Sequence, residues 1–159
     1  MKDILKDFLF QMNLKNYLTI EKPMFQGIKQ ISEIENFAFH RCHNLKKIIF
    51  NNKMTHIKIG EYAFGNCYNI STIYYNAVNC EYIGDSVFAG CSGIENVIIG
   101  DSVQIIPVNA FANISSATNH LTIPNSVLSI GSSAFRGCFG LSGVSIGNQV
   151  TIVSDSAFY

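Results

Sequence analysis

"IGSSAFRGCFGLSGVSI", from Ile130 to Ile146, decides the fold, because Ile83 to Ile99 repeats it almost residue for residue as "IGDSVFAGCSGIENVII". Two such stretches in a chain of 159 residues indicate a unit that is stacked rather than a site used once. Working outward, the phenylalanines Phe39, Phe64, Phe88, Phe111, Phe135 and Phe158 fall 25, 24, 23, 24 and 23 residues apart. A small or short residue precedes each (Ala38, Ala63, Val87, Ala110, Ala134, Ala157), and Cys42, Cys67, Cys91, Ile114 or Cys138 follows three residues later.

Further apolar columns keep the same register. One runs through Leu45, Ile70, Ile94, Ala117 and Leu141. Another is Ile48, Ile73, Val97, Leu121 and Val144, and a third is Phe50, Tyr75, Ile99, Ile123 and Ile146. Four residues ahead of the Ala-Phe pair stand Ile34, Ile59, Ile83, Ile106, Ile130 and Val153. The alternation Ile48-x-Phe50 or Val97-x-Ile99 has period two, that of a short strand with one face inward. Asn51, Asn76, Asp101, Asn125 and Asn148 come just after these strands, where tolerance of turn geometry is needed. One strand per repeat, all in one sense, predicts a right-handed parallel β-solenoid, with a second extended segment upstream and the Ala-Phe-x-x-Cys segment as a helical or 3₁₀ turn plugging the interior. No unit is large enough to bury its own apolar face, so each depends on its neighbours.

Residues 1–30 do not follow the repeat clearly. Ile4, Leu5, Phe8, Leu9 and Met12 share one helical face, which predicts a capping helix near 3–16 followed by a connecting segment. Residues 31–159 then hold five repeats and a truncated sixth. The departures are few: Pro107 in a glycine slot, Ile114 in the cysteine slot, His56 in a valine slot, and one extra residue near Ala117 to His120 that makes the fourth loop the irregular one.

The motif "IGxxAFxGCxxLxxIxIPxSVxxIG", present as Ile130–Ile146 and in "LTIPNSVLSIGSSAFRGC", resembles the BspA-like leucine-rich repeat over roughly residues 31–159. That resemblance implies a surface-antigen type of repeat array, secreted or on the cell surface of bacteria or parasitic protists, active in cell adhesion and co-aggregation. The opening "MKDILKDFLFQM" does not read as a secretory signal, so a cytoplasmic location stays open beside the surface one.

Composition narrows function by exclusion. Eleven basic residues balance eleven acidic ones, so no net field draws the chain to nucleic acid or an anionic membrane. No run of 18 apolar residues is present to insert into a bilayer. Five cysteines without a C-x-x-C suggest neither a disulfide framework nor a zinc knuckle, and the cysteine column reads as core filler. His40, Cys42 and His43 in "FHRCHNL" are expected to diverge, so no metal site is assigned. Glu61, Asp85 and Asp155 recur at one turn of different repeats, spread along the stack, and form no catalytic constellation. No catalytic residue and no cofactor is assigned.

What remains is an interaction surface. The outward positions of the strands line up as Ile49, Tyr74, Ile98 and Thr122, beside Lys47, Thr72 and Asn96, and this face or its edge loops is the candidate site for a protein or glycan ligand. An alternative is a self-assembling module. Phe158 and Tyr159 end the sequence partway through a repeat, and such an end invites homo-oligomer formation.

Overall fold

The computed structural model describes residues 17–20, 33–52 and 55–159. The repeat folds as a parallel β-solenoid in which each coil contributes one strand to each of two faces. On the first face β1 (Tyr17–Ile20), β3 (Lys47–Phe50), β5 (Thr72–Tyr75) and β7 (Asn96–Ile99) form a parallel sheet, followed by the pair β9 (His120–Ile123) and β11 (Gly143–Ile146). On the second, β2 (Glu33–Ile34), β4 (Thr55–Ile59) and β6 (Asn79–Ile83) form one ladder. A second ladder holds β8 (Ile105–Ile106), β10 (Ser129–Ile130) and β12 (Ile152–Val153). The capping helix expected over 3–16 lies outside the described residues. Strand β1 had no counterpart in the sequence reading; it pairs with β3 from Tyr17 opposite Lys47 to Ile20 opposite Phe50.

The segment expected as a helical or 3₁₀ turn is a run of tight turn bonds, such as Ala38 N–H to the Glu35 carbonyl, His40 to Phe37 and Cys42 to Phe39. It does not grow into a helix because left-handed residues interrupt it, Phe37 (φ 58°) and Arg41 (φ 59°) in the first described coil. The alternation aims N–H groups at the next coil instead. Phe37, Phe39 and Arg41 donate to the carbonyls of Glu61, Ala63 and Gly65, so this turn is itself a ladder between coils.

The phenylalanines pile into one interior file. Ring centroids are 5.1 Å apart for Phe39–Phe64, 5.6 Å for Phe64–Phe88, 6.5 Å for Phe88–Phe111, and 5.2 Å for both Phe111–Phe135 and Phe135–Phe158, all nearly parallel. Spacings of this size are those of offset stacked rings. The apolar columns of the strands are buried around the file until the last coil, where Val144 and Ile146 emerge. Cys42, Cys67 and Cys91 are buried and Cys138 half-buried, all as free thiols. They do more than fill space: the thiols of Cys67, Cys91 and Cys138 donate to the carbonyls of Phe39, Phe64 and Phe111 at 3.0, 3.0 and 3.1 Å, riveting one coil to the next.

Candidate functional site

Parallel register turns equivalent residues into rows. Ile49 lies opposite Tyr74, and Tyr74 opposite Ile98; beside them Lys47 lies opposite Thr72, and Thr72 opposite Asn96. Their flanking residues Ile48, Ile73, Val97 and Phe50, Tyr75, Ile99 point inward and are buried, which fixes the row's outward aim. Ile98 is 44% exposed, Lys47 is exposed, and Ile49, Thr72, Tyr74 and Asn96 are half-buried. Thr122 is exposed but sits on the separate pair β9–β11, opposite Ser145, so the ladder does not carry the row from Ile98 to Thr122.

Three features of the surface lay outside the sequence reading. At the turn edge Phe37 stacks on Tyr62 at 5.4 Å, and His43 on Tyr68 at 5.1 Å. The signal was available in "FAF" and "YAF", where an aromatic stands one place ahead of the Ala-Phe pair. On the first face His120 Nε2 and Ser145 Oγ are 2.7 Å apart. Among the described residues no carboxylate is bonded to His120, so the pair lacks the orienting group that nucleophilic chemistry needs. On the second face a cleft of about 530 Å³ runs from β6 across β8 and β10 to β12, lined by Cys80, Asp85, Pro107, Asn109, Ser129 and Ile152 among others.

His40, Cys42 and His43 do not converge. His40 meets the edge of Phe37, His43 stacks on Tyr68, and Cys42 is buried in the core. Burial pushes the Cys42 thiol up to about 11, with the neighbouring Cys67 adding to it. Contact with Cys91 and burial hold the Cys67 thiol well above its ordinary range. Burial likewise raises Cys138 to about 11. Thiols kept protonated in this way are poor nucleophiles and poor metal ligands.

Phe158 is 38% and Tyr159 81% exposed, and Phe158 stacks on Phe135 at 5.2 Å. No helix of the described residues is long and apolar enough to cross a membrane.

Coils of this length, with parallel strands on two faces and one buried aromatic file, define a leucine-rich-repeat solenoid. The BspA type leucine rich repeat region matches residues 9–119 and 104–159 in six copies, and the chain belongs to that family. Among solved structures it is similar to the leucine-rich repeat protein of T. pallidum, at 25% identity and a TM-score of 0.61, over 82% of this chain and 58% of that one. It shares its fold with a leucine-rich repeat protein from Eubacterium ventriosum (24% identity, TM-score 0.60, 78% of this chain, 32% of that one). Another from Bacteroides ovatus has 24% identity and a TM-score of 0.55, over 76% of this chain and 36% of that one. The chain thus spans between a third and three fifths of the length of these relatives. No curated protein matches it. Solenoids of this family are interaction or repeat modules and are typically non-enzymatic.

Proposed function

We propose that the chain is a non-catalytic binding module whose ligand is a protein, held on the row Ile49–Tyr74–Ile98 with Lys47, Thr72 and Asn96 at its side. One observation carries the reading: the parallel register lays two isoleucines and a tyrosine directly in line on an outward face, with Ile98 the most exposed of the three. An aligned apolar ladder of this kind supplies a desolvated centre, and tyrosine serves it as a rigid amphipathic anchor. A glycan ligand, an adhesin-like role and a place at the cell surface accord with the family. Ile98→Arg leaves the inward residues untouched, so the variant folds. Its affinity for a protein captured by the parent falls about tenfold or more, by loss of an apolar anchor. An unchanged affinity removes the row from consideration.

A second reading has its own observation. Val144 and Ile146 are 37% and 49% exposed where their equivalents in earlier coils are buried, and Phe158 and Tyr159 are 38% and 81% exposed. A second copy packed on these groups would cover them. Light scattering tests this reading: a dimer abolished by Phe158→Glu supports it, and a monomer at every concentration refutes it.

A further inference from the structure

Three ladders of main-chain bonds tie each coil to the next, and among the described residues all three are interrupted between the third coil, which carries Phe88, and the fourth, which carries Phe111. On the first face β7 and β9 do not pair, and on the second neither do β6 and β8. In the turn ladder the amides of Phe39, Phe64, Phe111 and Phe135 donate to the carbonyls of Ala63, Val87, Ala134 and Ala157. Among the described residues no such bond joins Phe88 to Ala110 or Gly90 to Ala112.

The cause is local and chemical. The amides of Gly60, Gly84 and Gly131 donate to the carbonyls of Ile34, Ile59 and Ile106 at 2.7, 2.7 and 2.8 Å. The coils approach so closely there that a Cβ on Gly84 would stand 2.5 Å from the Glu61 nitrogen. Pro107 fills the same slot without an N–H, so the bond is missing there, whereas Ser154 in that slot keeps it, donating to the Ile130 carbonyl at 2.9 Å. The widest spacing of the phenylalanine file, 6.5 Å, falls at this junction. Ile114 removes the thiol that would have reached the Phe88 carbonyl.

What still crosses is unevenly placed. Beside the first face, Thr118 and Asn119 donate their amides to the Glu95 carbonyl, and Ser116 donates to that of Ile94. The Asn119 side chain, in the loop with the extra residue, accepts from Val97 N–H and donates to the Val97 carbonyl, replacing a peptide of the missing strand pair. On the second face the cleft starts at the unpaired edge of β6 and β8 and runs on across β10 to Ile152 of β12. At that unpaired edge the side-chain amide of Asn109 donates to the Asp85 carboxylate.

We propose that this junction is a hinge. The loop 116–119 pinned on Glu95 and Val97 is its axis, the β6–β8 end of the cleft is its mouth, and Asn109–Asp85 is its latch. The coils before and after it move as two rigid stacks, because within each stack the ladders are continuous. The motion bends the first face between Ile98 and Thr122.

Cys80 lines the cleft, yet its thiol is turned inward to the Ile57 carbonyl and packs on the core, so it is exposed to reagent when the junction opens. The test is the rate of alkylation of Cys80 by iodoacetamide in the intact native protein, read by mass spectrometry of its peptide. Glycine occupies the slot of Pro107 in three other coils, so Pro107→Gly folds; it restores the missing amide and closes the mouth, slowing alkylation about tenfold. In a static cleft, removing the ring widens access and speeds alkylation, so a faster or unchanged rate overturns the hinge. Asn109→Ala releases the latch and speeds alkylation several-fold, and a rate equal to the parent's overturns the latch.

Discussion

The junction between the coils of Phe64 and Phe88 and the junction between those of Phe88 and Phe111 are built from nearly the same residues, yet they hold together differently. At the first, sheet, second ladder and turn ladder all cross, the Cys91 thiol grips the Phe64 carbonyl, and the rings sit 5.6 Å apart. At the second, the main chain crosses only through Thr118 and Asn119 to the Glu95 carbonyl among the described residues, and side chains do the rest of the joining. Asn119 stands in for a peptide, Ser116 reaches back to Ile94, and Tyr75 leans across to meet Phe111 edge-on at 5.4 Å. Burial drives both junctions. Main-chain ladders add rigidity only where their donors are in place, so Pro107 without an N–H, Ile114 without a thiol and the extra residue before His120 together loosen one junction of the stack.

The contrast can be broken at its strongest point first. Phe64 is fully buried between two rings, and Phe64→Ala lowers stability by about 3–5 kcal/mol in urea unfolding. Phe88→Ala costs less, since one of its neighbours already stands farther off. Next, Gly84→Ala forces a methyl against the Glu61 backbone and strains the regular junction, at about 1–3 kcal/mol by the same measurement. Asn119→Ala leaves the Val97 amide and carbonyl without their stand-in and costs about 1–2 kcal/mol, whereas Asn69→Ala, at an exposed amide bound to the His43 carbonyl, costs less.

The smallest effect near neutrality comes from the thiols. With Cys42 and Cys138 raised from 9.0 to about 11, the folded state prefers the protonated thiol. Their contribution is therefore whole below about pH 9 and is lost as pH rises toward 11. Melting temperature followed across that window falls, with Cys91, whose thiol is lowered by its bond with Cys67, working against the trend.

Much of this was legible before any coordinates. The spacing of Phe39 to Phe158 and the period-two strands give the coil, its inward columns and the alignment of Ile49, Tyr74 and Ile98, because a fixed period with a fixed burial pattern admits one stacking register. The departures at Pro107, Ile114 and the extra residue before His120 were visible too. Their joint effect was not: they are scattered over the sequence from 107 to 119 and meet only when the chain is wound. The turn ladder needed tertiary structure as well, since it arises from left-handed residues as unlike as Phe37, Tyr62 and Asn109.

Sequence alone determined that equivalent residues pile up, which of them are inside, and which repeat is irregular, all consequences of local pattern and neighbour burial. Tertiary structure decided how tightly each pair of coils is joined. That depends on distances of a few tenths of an ångström between backbones remote in the chain, which no period encodes.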